Sequence, residues 1–382
     1  MDASTAVTKA RDVAAAVLAP AVAENDKSAS FSTKAVEALG AAGLLGLLVP
    51  GELGGSALGP RALSDVTAAL AEADASVAMV FLMHCAASAA IAAAPRTTRL
   101  EQVLREIGAG RHLTTLAFSE SGSRSHFWAP VSRAETLNGA GVRLSARKSW
   151  VTSAGYAQSY VTSSLAPGAA TPTESSLYVV LADTPGLSVA APWDGMGLRA
   201  NASAPMVFEG CTVPLDLRIT DDGGGFNTML GVVLPLFNVG SAAVALGICR
   251  ATVASTIQHL KTARFEHLGV TLGEGLPTLR AHLATMQVQT DSLAAHLDDT
   301  IAQIERRADT MMLRVLESKV VAGETAIAVT STAMRVCGGA AFSGHTSIDR
   351  HFRDAHAGAV MAPTADMLRE FIGKALLGLP LF

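Results

Sequence analysis

From Ala6 to about Gly110, apolar side chains recur three and four positions apart, as in Val36, Leu39, Ala42 and Leu45, on a background rich in Ala and Leu. That spacing lays them along one stripe of a helix, so a set of packed helices is expected. From about Leu113 to Arg218 the texture changes to Val, Thr, Ser, Gly and Pro, and runs such as Ser176 to Ala182 read as strands. Helical periodicity resumes after Asp221-Asp222-Gly223-Gly224-Gly225, whose glycines read as a flexible joint. It continues through Leu376, with room for three long helices and a shorter fourth, as in a four-helix bundle. The predicted fold is mainly α with a central β-domain: an N-terminal helical domain (1–112), a middle β-barrel or sandwich domain (113–220) and a C-terminal four-helix bundle (226–382). There is no internal repeat.

One stretch, Thr228 to Cys249, carries no formal charge and is long enough to cross a bilayer. Pro235, Asn238, Ser241 and three glycines interrupt it, and charged positions (Arg250, His259, Lys261, Arg264) follow directly, so a buried helix and no membrane span are expected. With 382 residues, 49% of them hydrophobic and 16% charged, and a mean hydropathy of +0.35, the chain implies a large buried fraction and further burial between subunits. A homodimer or homotetramer is expected. The net charge of −4 and the lack of Lys/Arg clusters exclude a nucleic-acid partner. Cys85, Cys211, Cys249 and Cys337 have neither metal-type nor paired spacing, and Met1-Asp2-Ala3-Ser4 lacks a basic start before an apolar run. No metal and a cytoplasmic location are the expectation.

Candidate chemistry concentrates in two strand-like segments, Thr115 to Glu120 and Lys148 to Ser153. A flat redox ring needs an aromatic wall, which Trp150 can supply, and short hydroxyls at its polar edge, which Ser119 and Thr152 can supply. Around them lie Leu39 to Gly55, with its Val-Pro and Gly-Gly; Ala73 to Ala78; Gly195-Met196-Gly197-Leu198-Arg199; Val207 to Pro214; Arg335-Val336-Cys337-Gly338-Gly339; and Arg350-His351-Phe352-Arg353-Asp354. In that order, and over nearly the whole chain, these segments resemble the acyl-CoA dehydrogenase superfamily, FAD-dependent enzymes in which two helical domains flank a small β-domain.

The resemblance implies FAD, rather than FMN, as cofactor. It implies flavin contacts from Phe118, Ser119, Trp150 and Thr152, and a place for Ser125 near the cofactor phosphates or the substrate. Arg264, Gly338, Gly339, Thr364 and Asp366 are the further cofactor positions it implies, with Arg264 on the long helix before Leu268-Gly269. The family loop Thr-Glu-Pro-x-x-Gly-Ser-Asp corresponds here to Ser119-Glu120-Ser121-Gly122-Ser123-Arg124-Ser125-His126, so Arg124 and His126 add a cation and an imidazole near the expected pocket mouth. The main departure lies at Met361-Ala362-Pro363-Thr364, where the family's Glu-Gly-Thr would place the catalytic base; Ala362 cannot accept a proton. Phe237 and Asn238, which correspond to the alternative base position on the first long helix of the bundle, are also non-basic. His126, Phe237 and Ala362 are therefore assigned to the substrate pocket, and no catalytic residue is named.

Three functions remain open. An acyl-thioester oxidoreductase, on CoA or a carrier protein, would use an unorthodox base such as Asp366 or Glu370, or a step that needs none, together with an electron-transfer partner. A flavin-dependent monooxygenase would need none, and would take reduced flavin from a separate reductase. A non-catalytic flavin-binding homologue is the third.

Overall fold

The computed structural model describes residues 1–137 and 139–381. Its first module is built around α5 (Ala75–Ala92), which starts where Asp74 accepts hydrogen bonds from the Ser76 and Val77 N–H groups and is apolar on nearly every side. A helix without a polar face belongs inside. Around it lie α1 (Ala3–Val13), α2 (Ala19–Ser28), α3 (Thr33–Ala41), α4 (Pro60–Ala71) and α6 (Thr98–Gly108).

The middle module is two sheets. One has the order β1-β4-β5 (Thr114–Ala117, Ser159–Leu165, Ser175–Leu181), with β1 parallel to β4; the other has the order β2-β3-β7-β6 (Glu135–Thr136, Gly141–Val151, Ala204–Pro214, Leu187–Val189). Buried His84 ties β1 to the first module, with Nε2 bonded to the Leu45 carbonyl and Nδ1 accepting from the Thr114 N–H. Burial pushes its pKa down to about 4, so the ring is a neutral strut.

The short α7 (Gly225–Thr228) leads into α8 (Leu234–Thr262), and a small hairpin, β8 (Arg264–Phe265) with β9 (Val270–Thr271), and α9 (Leu272–Gly275) lead to the antiparallel partners α10 (Pro277–Glu305) and α11 (Met311–Cys337). Then come α12 (Gly339–Phe342), α13 (Ile348–Ala355), α14 (Ala357–Val360) and α15 (Ala365–Leu376). The apolar length of α8 is accounted for inside the molecule, where 89% of its most apolar window is buried. At Gly247 a Cβ would come within 2.6 Å of the Ala68 carbonyl, so glycine is what lets α8 lie directly on α4.

The Asp221–Gly225 run is not the free joint expected. Gly223 N–H donates to Ser176 Oγ, Arg218 pairs with Asp221 and Asp222, and a Cβ at Gly225 would stand 2.8 Å from the Ser175 carbonyl. It is a packed corner whose partners arrive from β5.

Candidate functional site

The two segments singled out in the sequence end up side by side although β1 and β3 belong to different sheets. Ser149 N–H donates to the Ser119 carbonyl at 2.8 Å, and Glu120 bridges to Lys148. Beneath them is a buried ion pair: Lys148 Nζ lies 2.6 Å from Glu120 Oε1 and donates to the Ser163 carbonyl, while Glu120 also accepts from the Val131 and Ser132 N–H groups and the Ser132 hydroxyl. Burial disfavours the charged carboxylate, but Lys148 and these hydrogen bonds outweigh it and hold Glu120 below the usual range. A bulge between Lys148 and Val151 turns Trp150 to φ 58°, leaving it 65% exposed and edge-on to Trp193. Two residues on, Thr152 is buried, with Oγ1 3.0 Å from Ser203 Oγ.

In front of these strands opens a cavity of about 1080 Å³ with walls from all three modules. Met79 and Met83 come from α5, Phe237 from α8, Val360 from the end of α14, and Met361 and Ala362 from the segment between α14 and α15. Of the candidate site residues named from sequence, it gathers Phe118, Ser119, Arg124, Ser125, Trp150, Thr152, Phe237, Ala362 and Thr364. Ser125 and Thr364, 239 positions apart, are bonded to each other: the Thr364 N–H donates to Ser125 Oγ at 2.8 Å.

The others lie elsewhere. His126 is exposed, packs on Trp128 and faces a separate groove, because the turn at Ser123 to Ser125 carries the chain out of the cavity. Arg264 is not on the long helix, which stops at Thr262 when Ala263 becomes extended; it begins β8, and its Nη2 bonds to the Gly269 carbonyl. Gly338 and Gly339 lie exposed at the end of α11, Gly338 in the cap with φ 54°. Asp366 and Glu370 are exposed beside Arg369 and Lys374, and neither carboxylate lines the cavity. Asn238 is fully buried and donates to the Val315 carbonyl.

Two groups went unnoticed in the sequence. Lys319 is buried under the Met361–Thr364 turn, donating to the carbonyls of Gly358, Met361 and Pro363 at 3.0, 2.9 and 2.8 Å, with Nζ 5.9 Å from the Phe237 ring centroid. Burial pushes its pKa down to about 7, while the three carbonyls, all facing the ammonium, oppose that shift. His356 lines the cavity, and its Nδ1 lies 2.7 Å from the Phe352 carbonyl, which fixes that nitrogen as the N–H and leaves Nε2 as an acceptor. Among the described lining residues Glu120 is the sole carboxylate, and it is occupied by Lys148. An indole, short hydroxyls and a wide apolar wall fit a flavin ring. A proton-abstracting carboxylate is what the cavity lacks.

Residues 2–111, 115–211 and 223–377 match the N-terminal, middle and C-terminal domains of acyl-CoA dehydrogenase, nearly the whole chain. The amino sugar nitrososynthase DnmZ of Streptomyces peucetius is 29% identical, over 89% of this chain and 85% of its own. The mitochondrial short-chain specific acyl-CoA dehydrogenase of Sus scrofa is 25% identical, over 96% and 88%. Butyryl-CoA dehydrogenase from Megasphaera elsdenii superposes with a TM-score of 0.92 at 22% identity, over 99% of this chain and all of the other.

Proposed function

Because the chain belongs to the acyl-CoA dehydrogenase family, we propose that it is a flavin-dependent monooxygenase, an oxidoreductase that oxygenates a small molecule with O2 and reduced flavin. FAD is its cofactor. The observation that carries the reading is the cavity's content: among the described lining residues the one carboxylate, Glu120, is bound to Lys148, and Ala362 and Phe237 stand where the family resemblance would put a base. Abstracting a proton beside a thioester carbonyl needs a base, whereas an oxygenating site needs mainly dryness and orientation. The nitrososynthase among the relatives supports the same choice.

When bound, the flavin supplies the electrons and, in reduced form, the reaction with O2. The chain's residues do the rest. Trp150 and Phe118 would wall the ring, and the Ser119 and Thr152 hydroxyls would bond its polar edge. Met79, Met83, Phe237 and Met361 exclude water from the substrate side. His356, with Nδ1 bonded to the Phe352 carbonyl, leaves Nε2 as an acceptor among the lining groups. A flavin reductase is the partner this function requires, and the exposed Val288, Phe342, Leu376 and Leu377 suit a homo-oligomer.

The test is to load the protein with FAD and follow its absorbance. Pre-reduced holoprotein should consume O2 rapidly, and an anaerobic panel of acyl-CoA thioesters should leave the oxidised flavin unbleached. Anaerobic bleaching by any of them would overturn the reading in favour of acyl-thioester dehydrogenation, the reading favoured by the similarity to short-chain dehydrogenases.

A further inference from the structure

We propose that Arg124 is a phosphate-recognition residue at the mouth of the cavity. Three observations converge on it. Arg124 lines the cavity and is itself exposed, at the boundary between the apolar interior and solvent. Its backbone is left-handed, φ 53°, a conformation that glycine adopts freely and a branched or long side chain adopts at a cost. No hydrogen bond or ion pair joins its guanidinium to any described residue, whereas the cavity's other arginine, Arg353, is committed to Asp26, Asp349 and the Met196 carbonyl. A strained backbone holding an uncommitted cation at a cavity entrance is a costly arrangement for a merely solvated side chain.

The chemistry of the surroundings names the ligand class. The adjacent carboxylate, Glu120, is already neutralised by Lys148, so nothing acidic on this loop offsets Arg124. The same loop presents the hydroxyls of Ser121 and Ser125, the latter already holding the Thr364 N–H against the cavity. The Ser125 O–H is itself given to Thr364 Oγ1, so the donor pair is the guanidinium fork with the Ser121 hydroxyl beside it, which matches the oxygens of a phosphate, since these accept in pairs. Two phosphates would arrive at this place: the pyrophosphate of FAD, or the phosphate of a pantetheine arm carrying a thioester-bound substrate. The inference rests on the cavity being the flavin site, as proposed above.

Dissociation constants for FAD, FMN and riboflavin, from quenching of flavin fluorescence, and for free CoA on the FAD-loaded protein, by calorimetry, test it in the native chain, Arg124→Gln, Arg124→Gly and Arg124→Lys. Gln keeps the strain and removes the charge, and Gly removes both, so a charge effect must appear equally in the two, and Arg124→Gly should melt at or above the native temperature. Weakening of FAD by about tenfold or more, with riboflavin unchanged and Lys partly restoring it, assigns the residue to the flavin phosphates. The same loss for CoA with FAD unchanged assigns it to the substrate's carrier. FAD and CoA both within about twofold of native overturn the inference. Failure of the native chain to bind even riboflavin overturns the flavin reading and the inference that rests on it.

Discussion

Trp150 occupies a backbone conformation unusual for its type, and about two-thirds of its surface is open in the single chain, so little of its indole is invested in the core. It lines the cavity, and a residue placed that way suits a ligand-facing wall. Truncation to Ala should leave folding almost untouched, with a melting temperature within about 2 °C of native. The lost ring stacking should weaken FAD by about tenfold. Fluorescence titration and thermal melting on one preparation check this. Equal losses in both would mean that the indole supports the β-domain. Lys148 and Lys319 are opposite cases, cations wholly inside. Lys148 shares the alternation of Val142, Leu144 and Ala146 on β3, and Lys319 shares the inward stripe of Val315, Ala322 and Ala326 on α11. A lysine in phase with core positions is a visible signal, and it marks the two groups that organise the floor of this cavity.

At the scale of elements, the site depends on where helices and strands begin and end. Helix α5 contributes Met79 and Met83 to the cavity, and its first turn is fixed by the Asp74 carboxylate, which accepts two backbone N–H groups at 2.8 and 3.2 Å in a buried setting. Asp74→Ala should cost about 1–2 kcal/mol in urea unfolding, while Asp74→Asn, which keeps an acceptor oxygen, should stay within about 0.5 kcal/mol of native. An equal loss in both variants would mean that the negative charge matters beyond the cap. Element type was readable from periodicity over most of the chain, including the three modules and, in the last, the three long helices and a shorter fourth. Boundaries and corners were less so. The charged positions Arg250, His259, Lys261 and Arg264 read as one helical run, yet the chain turns extended at Ala263 to make a hairpin. The Gly223–Gly225 run read as a joint because glycines are locally permissive; the side chains that pin it, Ser175 and Ser176, lie about 50 positions earlier and meet it only in the folded state. His126 left the expected pocket for a similar reason, a turn whose direction no local spacing encodes.

For the whole molecule, the three modules meet at one charged knot beside the cavity. Arg353, on α13, grips Asp26 of α2 with both guanidinium nitrogens, at 3.0 and 2.6 Å, and also donates to the Met196 carbonyl, while Arg199 Nε bonds to the Asp26 carbonyl. Next to it Asp354 accepts the Leu198 N–H at 2.6 Å, holding the Met196–Leu198 segment that lines the cavity. Burial raises the Asp354 carboxyl to about 7 from an ordinary 3.8, against the pull of the Leu198 hydrogen bond and of Arg350, and with further push from Asp26 and Asp74. A carboxyl whose native pKa is raised favours the fold in its protonated form. Its contribution is complete below the ordinary value and is lost as pH climbs through about 7. Asp354→Asn keeps an oxygen for Leu198 and cannot ionise, so the native protein's stability relative to this variant should fall by about 1–2 kcal/mol between pH 5.5 and 8. Paired urea midpoints at the two pH values measure that difference directly, because Asp26, Asp74 and Arg350 are common to both proteins. A gap that does not change with pH would mean that Asp354 is ionised across the range and that the knot is held by charge rather than by a shared proton.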